Sequence, residues 1–100
     1  MTTETTVKDV FLKACQENNI NLVRQLLPLG ADVNWRRDDD VGAAGLHFAA
    51  HHNYGELLEL LLAQTGVDVN IRDNETWTPL MLACWVGHEN IVRRLCQHPD

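Results

Sequence analysis

Residues 49–62 of this 100-residue chain read AAHHNYGELLELLL, and this stretch decides the fold. Its leucines recur at spacings of three and four, which places them along one side of a helix. The polar break at residues 53–55 has room only for a tight turn. The two alanines that open the stretch allow a second helix to approach closely. The stretch therefore predicts two antiparallel helices joined by a tight turn.

The same pattern occurs twice more in matching register. Residues 14–27 read ACQENNINLVRQLL, and residues 83–96 read ACWVGHENIVRRLC. The first two units also end alike, with GADVN at residues 30–34 and GVDVN at residues 66–70. A glycine at that point ends a helix in the left-handed conformation at little energetic cost. Three registered copies predict a stack of helical repeats, each burying its apolar side against the next.

The third copy opens with TPLMLA at residues 78–83, and the second opens with AGLHFA at residues 44–49. These residues resemble the opening Thr-Pro-Leu-His-x-Ala of the ankyrin repeat family, whose period is about 33 residues. The resemblance implies an all-α solenoid of ankyrin-type helix-turn-helix repeats with short β-turn fingers. It implies one ankyrin-repeat domain over residues 1–100, with repeats at approximately 7–34, 35–70 and 71–100, the last incomplete.

Local signals predict the helix boundaries and the outer end of the stack. Thr78 is a natural N-cap, and Pro79 suits the first position of the helix that follows. Lys13 occupies a slot that is apolar in the other copies, which is typical of a solvent-facing capping helix. The connection after Asn34 is about two residues longer than the family's period allows.

The third copy stops at residues 97–100, before the closing turn that ends the other two. We therefore expect this chain to be the N-terminal piece of a longer array. On that expectation Leu80, Ile91 and Leu95 remain uncovered, so the fragment is marginally stable or self-associates.

Composition and charge narrow the possible functions. The formal net charge is −6 with only eight Lys and Arg residues, which disfavours nucleic-acid binding by counterion release. No apolar run reaches the ~18 residues of a membrane helix, and the first residues lack an apolar signal core. Three widely spaced cysteines form no CxxC pair and suit a reducing compartment. We expect a cytoplasmic or nuclear protein that does not bind membranes.

The resemblance implies a protein-binding scaffold or adaptor that grips a partner protein or peptide on its concave surface. By register, the contact surface comprises the finger tips and the exposed ends of the first helices. We name these residues the contact strip: Trp77, Trp85, His51, His52, Trp35, Asn74, Glu75 and Asp40. The acidic balance favours a neutral or basic partner.

The tryptophans are the sharpest signal within this strip. Trp77 and Trp85 fall outside the apolar stripe, and aromatic anchors dominate the energetics of interfaces. The alternative is that each ring packs over a neighbouring loop or on a further repeat. Trp35 follows the first closing turn and is more often a packing residue at the base of a finger.

Histidines and cysteines raise the question of a metal or reactive site. His47 and His51 are four residues apart on one helix, a spacing that suits zinc, but no cysteine or carboxylate joins them at matching spacing. The resemblance implies a structural role for His47, which bonds the finger backbone. Cys15 and Cys84 hold a small-residue slot between helices, and Cys96 lies on the apolar stripe. With no phosphate loop or convergent catalytic set, we predict no enzyme activity, no cofactor and no metal.

Two further possibilities come from the resemblance. In many ankyrin proteins the closing Asn is hydroxylated by an oxygenase, which makes Asn34 and Asn70 possible modification sites, although ordinary turn chemistry explains them equally. Some ankyrin domains bind a small anionic nucleotide or oligonucleotide between repeats. Arg36 and Arg37 together with the Trp77–Trp85 pair are the residues such a sensor would use. A catalytic or adaptor module fused elsewhere in a longer chain is also compatible with these 100 residues.

Overall fold

The computed structural model describes residues 3–98, with side chains from Val7 onward. Within that range the chain forms α1 (Thr3–Gln16), α2 (Ile20–Leu26), α3 (Gly45–His52), α4 (Gly55–Leu62), α5 (Pro79–Val86) and α6 (Glu89–Gln97), with a 3₁₀ turn at Leu27–Leu29 after α2. The only pairing of strand type within the same range is an isolated antiparallel bridge between Arg36 and Ala44. These elements confirm the prediction of an all-α solenoid.

The turn inside each helix pair has the same backbone in all three copies. Asn18, Asn53 and Gly87 have φ values of 58°, 62° and 83°, the left-handed region. The next residue begins the second helix with φ near −85° and ψ between 81° and 84° each time. Asparagine tolerates the left-handed region better than most residues, so the polar break supplies this conformation with or without glycine.

Helix α5 begins as predicted, with Thr78 as its N-cap and Pro79 in the first turn. The Thr78 hydroxyl accepts a hydrogen bond from the backbone N–H of Met81 at 3.2 Å. Helix α3 has Ala44 at the same position, which has no such oxygen. There the Ala44 N–H instead donates to Nδ1 of His47 at 2.9 Å, so a different side chain satisfies the helix start.

The core runs through the stack between the paired helices. Helix α3 packs against both α1 and α5, and its small residues make this approach possible. A Cβ added at Gly45 would come within 3.0 Å of Sγ of Cys15, so glycine permits the close contact. The largest fully buried side chains are Phe11, Leu12, Leu46, Leu57, Leu58, Leu61, Ile91, His47, Val23, Pro79 and Cys15.

The structure corrects three expectations about repeat three. Ile91 and Leu95 are only 1% and 8% exposed because α6 packs against α4 and α5, so they are already covered. Cys84 and Cys96 are exposed, although the sequence pattern placed them in a helix contact and on the apolar stripe. Leu80 is half-buried. The equivalent positions of repeat two, Ala50 and Leu62, are buried beneath repeat three. No described residue covers Cys84 and Cys96 in the same way.

Candidate partner-binding surface

Most of the contact strip is exposed to solvent. Trp85 has 76% of its surface exposed, which is high for tryptophan, a residue that is largely buried on average. His51, His52, Asp40, Asn74 and Glu75 are also exposed, whereas Trp77 and Trp35 are half-buried. The strip therefore contains six open positions and two that pack partly inside.

Trp77 and Trp85 lie together, as the register predicted. Their ring centroids are 6.1 Å apart and their planes meet at 80°. The pair borders a shallow pocket of about 330 Å³, which we call the tryptophan pocket; it is lined by His51, Asp73, Glu75, Trp77, Leu82 and Trp85. Two repeats contribute to the pocket, because His51 lies in the last turn of α3 while the other five residues belong to the following finger and to α5.

Asp73 holds the finger on which Trp77 lies. One carboxylate oxygen accepts the backbone N–H groups of Glu75 and Trp77, each at 2.9 Å. Thr76 between them has φ of 67°, a left-handed conformation, and the Asp73 N–H closes the loop on the Trp77 carbonyl at 3.0 Å. The sequence reasoning missed Asp73, although Asp39 stands 34 residues earlier in the preceding finger and was available as a signal.

Asp39 performs the same task in the preceding finger. Its carboxylate oxygen accepts the backbone N–H groups of Val41 and Gly42 at 3.0 and 2.9 Å. Gly42 has φ of 68°, almost the value at Thr76. The recurring aspartate is therefore a turn residue of both fingers.

His47 joins α3 to the next finger, which confirms the structural role that the resemblance implied. Its Nδ1 accepts the Ala44 N–H, so Nε2 carries the proton and donates to the Trp77 carbonyl oxygen at 2.8 Å. Burial lowers the pKa of the imidazole below its usual 6.5. Both nitrogens of this neutral ring are occupied, which leaves neither available to a metal ion. The described residues contain no group of three or more His, Cys, Asp or Glu able to hold one.

Asn74 acts as a bridge between the two fingers. Its side-chain amide donates to the carbonyl oxygens of Asp39 and Asp40 at 2.9 and 3.1 Å, and its oxygen accepts from the Arg36 guanidinium. Its own N–H donates to the Val41 carbonyl at 2.8 Å. The predicted contact residue Asn74 is thus held by internal bonds, and Asp40 takes part through its backbone.

Neither arginine of the first finger lines the tryptophan pocket. Arg36 donates from Nε to the Gly42 carbonyl at 3.0 Å. Arg37 donates to the side chain of Gln16 at 2.6 Å and lies over the Phe48 ring at 5.3 Å from its centroid. The structure does not bring these arginines together with the tryptophan pair, as a nucleotide site between them would require.

A second cavity lies at the other end of the strip. Its volume is about 700 Å³, and it is lined by Asp9, Leu12, Lys13, Gln16, Glu17, Arg37 and His52. The His52 ring stacks on Tyr54 at 5.3 Å and meets His51 edge-on at 4.7 Å. Partial burial, followed by the neighbouring His51 and His88, lowers the pKa of His52.

Trp35 has a packing role. Its ring meets that of Phe11 edge-on, with centroids 5.9 Å apart, and the side chain packs against the core. This is the alternative that the sequence favoured for Trp35, and the half-buried ring offers little free surface to a partner.

The closing asparagines differ in their surroundings. Asn34 donates from its amide to the Gly66 carbonyl at 2.9 Å and accepts the Asp68 N–H at 2.8 Å. These bonds tie the closing turn of repeat one to that of repeat two. The equivalent Asn70 is exposed, and its backbone N–H donates to the Asp68 carboxylate at 3.1 Å.

A family profile described as ankyrin repeats (3 copies) matches residues 11–100. The chain is 33% identical over 87 residues to the SMC5-SMC6 complex localization factor protein 1 of Bos taurus, an alignment of 86% of this chain and 8% of that protein. It is 36% identical over 91 residues to the ankyrin repeat and KH domain-containing protein mask of Drosophila melanogaster, covering 88% and 2%. It is 48% identical over 54 residues to protein phosphatase 1 regulatory subunit 12A of Mus musculus, covering 54% and 5%.

The chain therefore spans a small fraction of the length of these curated relatives. None of the helices that the structure describes is long and apolar enough to cross a membrane.

Proposed function

Because this chain belongs to the ankyrin repeat family, we propose that it binds a partner protein or peptide along the contact strip and catalyses no reaction. Ankyrin repeats are in general protein-interaction modules. The observation that carries the assignment to this surface is the tryptophan pocket, where a 76%-exposed indole stands beside a second tryptophan.

The energetics of tryptophan support a binding role for this pocket. Burial of apolar surface is favourable by roughly 25 cal/mol per Å², so an open indole forgoes a large stabilisation that a partner can supply. Truncating such anchors to alanine commonly costs ~2 kcal/mol or more of binding energy. Trp85 and the adjoining part of Trp77 are the natural centre of the interface.

Charge supports a neutral or basic partner. The chain carries a formal net charge of −6, and Asp73 and Glu75 line the pocket. Arg36 and Arg37 are engaged in internal hydrogen bonds, to the Gly42 carbonyl and to the Gln16 side chain, so they offer little attraction to nucleic acid or to a nucleotide. A scaffold or adaptor of the cytoplasm or nucleus fits these properties.

The names of the relatives agree with such a role. One is a localization factor for a protein complex, and another is a regulatory subunit of a phosphatase. Both names describe proteins that act through other proteins, which is the role proposed for these repeats.

A selection from a random peptide library tests the proposal. Peptides selected on the 100-residue chain should bind the Trp85→Ala variant about thirtyfold more weakly, equivalent to ~2 kcal/mol. Gln25→Ala and Arg93→Ala are matched controls on the second helices, where both residues are exposed, and should leave affinity unchanged. Selected peptides that depend on Gln25 or Arg93 and ignore Trp85 would place the binding surface elsewhere.

A further inference from the structure

We infer that the tryptophan pocket receives the side chain of a lysine from the partner, an inference that rests on the proposed function. The pocket combines two indole rings with the carboxylates of Asp73 and Glu75 in about 330 Å³. Neither the rings nor the carboxylates alone would specify a ligand. Their combination selects a group that is both positively charged and attached to an apolar stem.

The rings attract cations through the negative faces of their π systems. A cation within about 6 Å of an aromatic centroid is stabilised in this way, most strongly over tryptophan. The pocket lining contains no Lys or Arg that would already occupy those faces. Apart from the edge contact that the two rings make with each other, the pocket therefore offers its aromatic surface to a cation without competition from an internal Lys or Arg.

The carboxylates add a charged component to the same pocket. Asp73 is fixed, because the Glu75 and Trp77 amides hold one of its oxygens. Glu75 is exposed, and its carboxylate makes no hydrogen bond or ion pair with any residue between 7 and 98. One acidic group is thus held in place, and the other is able to turn towards an incoming cation.

The angle between the rings favours lysine over arginine. Planes that meet at 80° form a corner, whereas a planar guanidinium stacks flat on a single ring. An ammonium group is compact and donates in three directions, so it contacts both walls of a corner and a carboxylate together. The lysine methylenes would lie against Leu82 and the indoles while the charged end faces the carboxylates.

A titration followed by NMR tests the inference on the 100-residue chain. The probe is Nα-acetyl-lysine N-methylamide, compared with the norleucine, Nε-acetyl-lysine and arginine equivalents. The indole N–H signals of Trp77 and Trp85 should shift with the lysine probe and far less with the two neutral ones, since acetylation removes the charge. The Trp35 signal is an internal control because that ring packs on Phe11.

Variants separate the two components of recognition. Glu75→Gln should weaken lysine binding about three- to fivefold, the range of an exposed ion pair. Trp85→Leu should weaken it two- to fivefold, whereas Trp85→Phe should retain part of the affinity because the aromatic face remains. Asp9→Asn removes the same charge as Glu75→Gln from an exposed site on α1, outside the pocket lining, and should have no effect.

Several outcomes would overturn the inference. Equal shifts with norleucine would mean a purely apolar pocket, and stronger binding of the arginine probe would assign the pocket to a guanidinium. No shift of either pocket indole at any probe concentration would remove the lysine site altogether. These failures are distinct from failure of the proposed function, since library peptides that depend on Trp85 would still establish the strip as a binding surface.

Discussion

Repeats two and three share one register, yet positions that are buried in repeat two are exposed at the equivalent places in repeat three. His47 is 2% exposed, whereas Met81, 34 residues later, is 47% exposed. Leu62 is buried, but Cys96 at the same position of the next repeat is exposed. The second helices begin with nearly the same φ and ψ, so backbone geometry does not explain the contrast. Burial on this side is decided by the neighbouring repeat.

The polar chemistry of the two repeats follows the same rule. His47 reaches the Trp77 carbonyl of the following finger, which gives its polar ring a partner on the buried side. The Met81 sulfur instead accepts a hydrogen bond from the Thr78 N–H of its own repeat, at 3.5 Å. The imidazole of His47 has a carbonyl of the following finger to bond. No finger within the described chain lies opposite Met81, so a thioether serves equally well at that position.

The largest contrast we expect is in cysteine reactivity, which extends the comparison to repeat one. Cys15 and Cys84 share a register position, but Cys15 is covered by repeat two and burial raises its pKa from 9.0 to about 12. A rise of about three units lowers the thiolate fraction near neutral pH about a thousandfold, and the thiolate is the reactive form. Native labelling with a disulfide reagent, mapped by mass spectrometry, should therefore modify Cys84 at least a hundredfold faster than Cys15.

Unfolding in denaturant is the control for that experiment, because it should make all three cysteines react alike. Comparable labelling of Cys15 and Cys84 in the native protein would show that repeat two does not seal the first helix contact.

Truncation of equivalent leucines should give the next largest effect. Leu61 is fully buried between repeats, and Leu95 occupies the same position in repeat three. Large-to-small changes in cores cost ~2–5 kcal/mol, and the cost is greater where the surroundings cannot collapse. We expect Leu61→Ala near the upper end of that range and Leu95→Ala near the lower end, measured by urea unfolding. Equal losses would mean that repeat three is as tightly enclosed as repeat two.

Much of this fold was predictable from sequence because the repeat signal is redundant. Three copies of one spacing predicted the paired helices, and Thr78 and Pro79 marked the start of α5. The errors at Ile91, Leu95 and Cys96 have a common cause: a sequence pattern assigns a residue to an apolar stripe, but only neighbours in space determine what covers it. The repeat pattern identified the stripe but did not show that Ile91 and Leu95 pack on α4 and α5 within the array, whereas Cys96 does not.

The candidate site was predictable in part. The proximity of Trp77 and Trp85 followed from register, since both lie on the same repeat. The contribution of Asp73 was missed. The matching Asp39, 34 residues earlier, was a signal for it, but the turn also needs a left-handed Thr76, a conformation that threonine rarely adopts. The internal bonds of Asn74 were not predictable either, because they join two fingers through backbone carbonyls of the first finger, whose path the sequence left open.

A reciprocal exchange at the histidine position should have a smaller effect that depends on pH. His47→Met removes the bond to the Trp77 carbonyl and should cost ~1 kcal/mol of stability near pH 7, whereas Met81→His should leave stability almost unchanged.

The folded pKa of His47 lies below its ordinary 6.5, so the unfolded chain takes up the proton first as the pH falls. Wild-type stability should thus decline below about pH 6.5, and the His47→Met variant should lose that part of the decline.

Chemical unfolding at a series of pH values measures both effects. An identical pH dependence in wild type and His47→Met would indicate that His47 has the same pKa folded and unfolded. A gain in stability for Met81→His comparable to the loss for His47→Met would remove the contrast between the repeats.

The smallest expected effect concerns the exposed ends of α3 and α5. His51 and Trp85 are equivalent positions, and both are open to solvent despite their different chemistry. Exposed substitutions usually change stability by no more than ~0.5 kcal/mol, so His51→Ala and Trp85→Ala should unfold almost as the wild type does. Trp85 also makes an edge contact with Trp77, so the loss of that contact is the largest stability cost we expect from Trp85→Ala. Thermal and urea unfolding of both variants test this, and a loss above 1 kcal/mol for Trp85→Ala alone would make that indole part of the structure and weaken its claim as a binding residue.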